Sequence, residues 1–119
     1  MGRNPATPVS RLVQEVRHGR GALLMGADGV LVEQAAPVAG ADVEAVAGEY
    51  ASLLRHVRSL ATELDWGSPK SFSVRGTGGQ LVFAFAPRDL LLGVETGPTG
   101  LCGQVRYALS RALSQIGNL

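Results

Sequence analysis

Three side chains in this sequence could bind a metal ion or attack a substrate: His18, His56 and Cys102. The two histidines lie too far apart to form a local metal-binding motif. His56 falls on the polar side of a helical pattern, where a solvated histidine is expected. Cys102 opens a predicted helix, whose dipole could lower the pKa of its thiol, but no histidine is predicted beside it. We therefore expect no metal site, and a structural or incidental thiol.

Two glycine clusters resemble parts of phosphate-binding loops. The first, Gly-Thr-Gly-Gly at 76–79, starts like a dinucleotide-binding fingerprint, but a strand follows it where a helix is required, and the third glycine is absent. The second, at 97–103, precedes a helix and could offer backbone N–H groups to an anion. It lacks the lysine and the spacing of a phosphate loop. Turns and a helix start explain both clusters better, so no cofactor is predicted.

The aspartates are the remaining candidates for chemistry. Asp28, Asp42, Asp65 and Asp89 fall at predicted turns or helix ends, where their side chains can bond to the local backbone. No two carboxylates are placed to act as a general acid and a general base. The sequence therefore predicts a protein that is not an enzyme.

The composition indicates a single domain. A chain of 119 residues can bury a core without metal or disulfides, and Cys102 has no second cysteine to pair with. The net charge of +1 argues against nucleic acid as a partner. No apolar run approaches the roughly 18 residues of a membrane span, and residues 1–8 lack the apolar core of a signal peptide. We expect a cytoplasmic protein with a disordered arm at 1–8 and one domain at 9–119.

The hydrophobic pattern predicts three helices and five strands in the order α-ββ-α-βββ-α. The helices are expected at 9–16, 42–66 and 101–116, and the strands at 22–25, 30–33, 71–75, 81–85 and 90–94. Asp-Gly between the first two apolar runs is a strong hairpin signal. Short connections within each group of strands indicate antiparallel pairing.

The polarity of the strands predicts how the layers are stacked. Strands 22–25, 81–85 and 90–94 are apolar on both faces, so they should be central, with helices above and below. Strand 71–75 alternates polar and apolar residues and should lie at an edge. The expected fold is an α/β three-layer sandwich, with a five-stranded antiparallel sheet between helices.

The helix at 42–66 has a wider apolar surface than one sheet requires. Its large apolar side chains fill about 120° of the helix, and Ala47, Ala51 and Ala61 widen this arc to about 180°. We expect the large side chains, centred near Tyr50 and Val57, to lie on the sheet. The alanine flank should then meet a second chain, because an exposed apolar strip usually marks an interface.

Several segments resemble the roadblock / dynein light chain family, and its bacterial MglB-like members in particular. They are ALLMGADGVLVEQ at 22–34, ADVEAVAGEYASLL at 41–54 and GLCGQVRYALSRAL at 100–113. The resemblance extends over residues 9–116 and implies a profilin- or longin-like fold. It also implies homodimers whose second helices pair antiparallel and whose third strands join into one sheet. The candidate dimer-interface residues are therefore Val43, Ala47, Ala51, Leu54, Arg58, Ala61, Phe72 and Val74.

The same resemblance implies a non-enzymatic regulator or scaffold that binds a small Ras-like GTPase. MglB-type dimers stimulate GTP hydrolysis by rearranging the catalytic groups of the GTPase, without inserting an arginine. The resemblance therefore gives no arginine of this chain a catalytic role. The alternative is a profilin-like sensor of small molecules, which requires an enclosed pocket with convergent polar groups. The apolar central strands leave few residues for such a pocket.

Overall fold

A computed structural model describes residues 7–35, 43–99 and 102–117, and it describes no side chains for 43–46, 102 and 117. The chain contains three helices and five strands in the predicted order. They are α1 (Pro8–Glu15), β1 (Gly19–Gly26), β2 (Leu31–Ala35), α2 (Val43–Glu63), β3 (Ser71–Gly76), β4 (Gly79–Ala86), β5 (Leu90–Thr96) and α3 (Cys102–Gly117). Residues 1–6 of the predicted arm at 1–8 and the predicted Asp42 cap lie outside the described residues.

The five strands form one antiparallel sheet in the order β2-β1-β5-β4-β3. This order confirms the three central strands and the edge position of β3. The α/β sandwich is confirmed as well, because α1 and α3 cover one face of the sheet and α2 covers the other. Alternate residues of each central strand point into the two layers, which is why these strands read as continuously apolar.

The hairpin between β1 and β2 forms at the predicted Asp-Gly pair. Gly29 has a φ of 92°, which glycine adopts without the steric penalty of a side chain. The Asp28 carboxylate accepts a hydrogen bond from the Val30 N–H at 3.0 Å. The pairing register then shifts between Leu24 and Met25, so that β2 carries one additional residue.

Helix α1 begins earlier than the sequence suggested. Thr7 is its N-cap, and a reciprocal pair of hydrogen bonds with Ser10 forms a capping box. Pro8 occupies the first helical position, where a missing N–H carries no penalty. Thr7 and Pro8 were expected in the disordered arm, but the structure places them at the start of α1.

The ends of two other elements also differ from the prediction. Helix α2 ends at Glu63 because Asp65 adopts a φ of 57°, and the Trp66 N–H donates to the Ala61 carbonyl at 2.9 Å. Strand β1 begins at Gly19, not at residue 22, because Gly19 pairs with Thr96. Arg20 is the additional residue of a bulge at this end.

Two apolar clusters hold the layers together. The cluster between the sheet and helices α1 and α3 contains side chains such as Leu12, Leu24, Leu92 and Leu109. The cluster under α2 is smaller and is centred on Phe83, which contacts the Tyr50 ring edge-on, with 4.9 Å between ring centroids. Few large side chains therefore hold helix α2 on the sheet, and much of the apolar surface of α2 lies outside this contact.

Candidate interaction surface

The alanine flank of α2 faces the sheet of its own protomer. Ala47, Ala51, Leu54 and Ala61 are only 0%, 3%, 1% and 6% exposed, and the first three belong to the cluster around Phe83. The prediction that this flank is left for a second chain is therefore wrong. These side chains cannot be residues that become buried only on dimerisation.

The small residues serve a close approach within the protomer. A Cβ built on Gly29, in the turn between β1 and β2, would lie 3.5 Å from the Ala51 Cβ and 3.7 Å from the Gly48 Cα. A larger side chain at Ala51 would push the turn away, whereas a Cβ at Gly48 would meet nothing within 4 Å. The sequence pattern correctly indicated a close contact, but the contacting segment is the hairpin of the same chain.

The other predicted interface residues have varied environments. Arg58 makes an ion pair with Asp89 at 3.4 Å, and its guanidinium carbon lies 5.6 Å from the centroid of the Phe85 ring. Phe72 is half-buried and stacks on Phe83, with 5.1 Å between centroids. Val74 is 50% exposed, while the side chain of Val43 lies outside the described residues. Of the described members of the set, Val74 is the most exposed apolar side chain.

A different stripe of α2 is left uncovered. Leu53 and Val57 are half-buried, and Leu60 and Leu64 are 54% and 44% exposed. Their spacing of four, three and four residues places them along one flank of the helix, as in the seam of a coiled coil. We call these four residues the leucine stripe. These side chains were expected to lie on the sheet, and the four-three-four spacing is the sequence signal that identifies them as a separate stripe.

The leucine stripe continues toward the edge strand β3. Trp66 is 74% exposed just beyond the end of α2. Together with Val57, Leu60 and residues 67–71, it lines an open groove of about 360 Å³. The groove therefore connects the uncovered flank of the helix to the first residue of β3.

Strand β3 has one unpaired edge, since it pairs only with β4 in the described sheet. Val74 lies opposite Leu81, which packs against the cluster under α2, so Val74 faces the α2 side. The leucine stripe, Trp66, Val74 and the free edge thus form one continuous surface. We call this the α2–β3 surface. Its exposed large apolar side chains and unpaired backbone groups can both be covered by one partner.

The residues first considered for chemistry do not assemble into a site. Within the described part of the chain, no group of three or more metal-ligating side chains occurs. The His56 Nδ1 lies 2.9 Å from the Ser52 carbonyl oxygen on the exposed face of α2. Asp28 caps its own turn, and Asp89 is the partner of Arg58. The side chain of Cys102 lies outside the described residues.

A polar cluster at the far end of the sheet was not predicted. The Arg20 guanidinium lies 3.8 Å from a Glu95 carboxylate oxygen and donates to the Gly78 carbonyl at 2.9 Å. Burial, together with the charge of Glu95, raises the pKa of Tyr50 to about 12. The Arg20 contacts bridge β1 to β5 and to the β3–β4 turn, so this cluster fixes the position of the turn.

The described helices do not include one that is both long and apolar enough to cross a membrane. None of the curated protein sequences is significantly similar to this chain.

Solved structures share the fold over nearly the whole chain. Myxococcus xanthus MglB has a TM-score of 0.86 at 17% identity, covering 93% of this chain and 89% of that one. A Roadblock/LC7 domain from Streptomyces avermitilis has a TM-score of 0.83 at 21% identity, covering 92% and 91%. MglC from Myxococcus xanthus has a TM-score of 0.64 at 25% identity, covering 93% and 94%.

A sequence model of one family matches most of the chain. The model describes the Roadblock/LC7 domain and matches residues 7–96. The match spans α1 to the end of β5, so it includes both α2 and the edge strand. This chain is therefore a member of the Roadblock/LC7 domain family.

Proposed function

We propose that the protein is a cytoplasmic, non-enzymatic homodimer that binds and regulates a small Ras-like GTPase. The observation that carries this proposal is the α2–β3 surface. Leu60, Leu64, Trp66 and Val74 are large apolar side chains that are 44–74% exposed in the protomer. A surface of this kind on a small domain is typical of a protein interface.

A second copy of the chain fits this surface for reasons of symmetry. A twofold axis between two antiparallel α2 helices brings each leucine stripe against the other, because an isologous contact uses the same residues on both sides. The same axis can pair the two β3 edges, which satisfies their unpaired backbone groups. One symmetric contact therefore covers the whole α2–β3 surface.

The regulatory part of the proposal rests on the family. The resemblance to MglB-type proteins implies that a dimer acts on the catalytic groups of a partner GTPase. Arg58, an arginine of α2, is held against Asp89 and Phe85. An arginine already engaged in this way is poorly suited to reach into another protein's active site.

The small-molecule sensor gains no support from the described clefts. The cleft beside the Arg58–Asp89 pair, of about 550 Å³, is open to solvent. A ligand site of the usual kind encloses most of its ligand.

Two measurements test the proposed function separately. Sedimentation equilibrium should give the mass of a dimer at micromolar concentration, and a monomer there would contradict the symmetric contact. The protein should then be used to capture small GTPases from its native cytoplasm, and the GTP hydrolysis rate of each should be measured with and without it. Capture of a GTPase whose rate or nucleotide preference changes would support regulation. If no small GTPase is captured, the regulatory proposal is wrong, even when the dimer forms.

A matched pair of variants makes the GTPase assay specific. Leu60→Gln disrupts the leucine stripe, whereas Arg55→Gln changes an exposed residue of the same helix outside the stripe. We expect the first variant to lose the effect on the GTPase and the second to keep it. Equal activity of both variants would show that the dimer is not needed for regulation.

A further inference from the structure

The opposite face of the sheet carries a second groove, between helix α3 and the edge strand β3. It has a volume of about 160 Å³. Its lining residues are Lys70, Ser71, Ala84, Arg106, Leu109, Ser110 and Leu113. We call it the α3 groove. Its α3 wall is separated by the sheet from the leucine stripe, because α3 and α2 pack on opposite faces, but Lys70 and Ser71 also line the groove beside the stripe.

The groove exists because α3 does not extend over the edge strand. The buried side of α3 packs on central strands through residues such as Leu109, in the same cluster as Ala84 of β4. Ser71 of β3 lies directly opposite Ala84 and therefore faces the same side, but it is exposed. The floor of the groove is thus apolar, and its β3 wall carries a hydroxyl group.

The rim of the groove is positively charged. Lys70 stands at one side and Arg106 at the other, and no carboxylate is among the lining residues. Within the described part of the chain, neither cation takes part in an ion pair. The next arginine of α3, Arg111, does have such a partner, since it lies 3.8 Å from the Glu15 carboxylate.

The sequence of α3 strengthens this asymmetry. Residues 102–117 contain Arg106 and Arg111 but no aspartate or glutamate. The basic helix and the unpaired Lys70 therefore produce a local positive potential, although the whole chain has a net charge of only +1. Two unpaired cations around an apolar floor complement an anionic ligand that also carries an apolar group.

From this arrangement we propose that the α3 groove binds an acidic segment of a partner protein, with one apolar side chain of that segment inserted between α3 and β3. A cavity of about 150 Å³ accommodates a benzene ring, so the α3 groove is large enough for one aromatic or branched side chain. Acidic side chains on either side of this anchor pair with Lys70 and Arg106. A lipid bilayer is a poorer match, because a flat surface cannot fill the groove.

This binding site shares Lys70 and Ser71 with the groove beside the leucine stripe. Its other lining residues belong to β4 and α3, and Leu60 is not among them, so a dimer-deficient variant such as Leu60→Gln should bind the acidic segment as the unchanged chain does. If the proposed dimer or the GTPase regulation is refuted, the proposed peptide binding is not refuted with it. If the peptide binding is refuted, the proposed dimer and GTPase regulation are likewise unaffected.

The test uses a fluorescent peptide of glutamate and aspartate residues around one central phenylalanine. Two further probes isolate the contributions: the same peptide with glutamine and asparagine in place of the acids, and the acidic peptide with glycine in place of phenylalanine. Fluorescence anisotropy with the full chain should show the tightest binding for the first peptide, with affinity that falls as salt is added. Equal binding of all three peptides would overturn the proposal.

Variants of the groove locate the site. Exposed ion pairs contribute about 0.2–1 kcal/mol, so Lys70→Gln should raise the Kd by up to about fivefold, and Arg106→Glu, which adds repulsion, by about tenfold or more. Arg55→Glu makes the same change of charge on the exposed face of α2 and should have little effect. If Arg55→Glu and Arg106→Glu weaken peptide binding equally, the peptide binds through the overall charge of the protein, and the assignment of the site to the α3 groove is wrong.

Two further outcomes distinguish the groove from a flat basic patch. Ser110→Trp should fill the groove and abolish binding of the phenylalanine peptide, while Ser59→Trp on α2 should not. Vesicles containing anionic phospholipid should bind more weakly than the peptide and should not respond to Ser110→Trp. Vesicle binding that matches peptide binding, with the same loss in Arg106→Glu, would replace the proposed peptide by a membrane surface.

Discussion

Replacing Leu60 by glutamine should weaken self-association while leaving the protomer folded. Leu60 is 54% exposed and belongs to the leucine stripe of α2. Glutamine has a similar helix propensity and replaces only the branched apolar end of the side chain. The substitution therefore removes apolar contact with a second chain and leaves the core unchanged.

The magnitude follows from the exposed fraction. Complete burial of a leucine side chain contributes about 1.5–3 kcal/mol, so covering the 54% that is exposed contributes about 0.8–1.6 kcal/mol per protomer. A twofold contact counts this twice, about 1.6–3.2 kcal/mol, which corresponds to a roughly 15- to 200-fold higher dimer Kd. Glutamine retains two methylene groups, so we expect the lower part of this range.

Sedimentation equilibrium over a concentration series measures the dimer Kd directly, and thermal unfolding reports on the protomer. Ala51→Glu provides the contrasting case, because Ala51 is 3% exposed and lies against the Gly29 turn. A buried carboxylate there should prevent normal folding. An unchanged dimer Kd in Leu60→Gln would refute the assignment of the leucine stripe to the dimer contact. A folded Ala51→Glu monomer would refute the assignment of the alanine flank to the protomer core.

Three further predictions concern the protomer itself. A Cβ at Gly93 would lie 2.4 Å from a Phe83 ring carbon, so Gly93→Ala should lower the free energy of unfolding by about 1–3 kcal/mol. A Cβ at Gly48 would meet nothing within 4 Å, so Gly48→Ala should raise it by about 0.5–1 kcal/mol. Urea denaturation measures both changes. Thr7→Ala removes the capping box of α1 and should cost about 1 kcal/mol in the same assay. Because the pKa of Tyr50 is raised to about 12 from the usual value near 10, the folded protein retains this proton longer than the unfolded chain does. Its contribution to stability should be complete below about pH 10 and lost as pH rises toward 12, and this loss should be smaller in Tyr50→Phe.

The sequence pattern predicted the elements well, because their signals are local. The turn at Asp28 and Gly29 and the polar alternation of β3 both depend on residues close together in the chain. The error at the start of β1 arose from pairing with a distant residue. Gly19 joins β1 only because Thr96 lies beside it, and no residue near Gly19 in the sequence indicates this.

The surface assignment on α2 shows where sequence reasoning was insufficient. Both flanks of this helix are apolar, and periodicity gives the width of the apolar arc without showing which part faces the sheet. In the structure Ala51 packs against the hairpin turn, whereas Leu60 and Leu64 lie on a flank of α2 that stays exposed. The same limitation concealed the α3 groove, since Lys70 and Arg106 are brought together by the packing of α3.

The sequence by itself determined the order of elements, the central and edge strands and the family resemblance. Hydrophobic periodicity, turn residues and strand polarity each depend on residues that are close together in the chain. It also indicated that one helix has more apolar surface than its sheet requires. Only the tertiary structure decided which flank is surplus, because that depends on how closely α2 can approach a turn formed by residues about twenty positions earlier. The surplus is the leucine stripe, and the alanines Ala47, Ala51 and Ala61 are buried in the core.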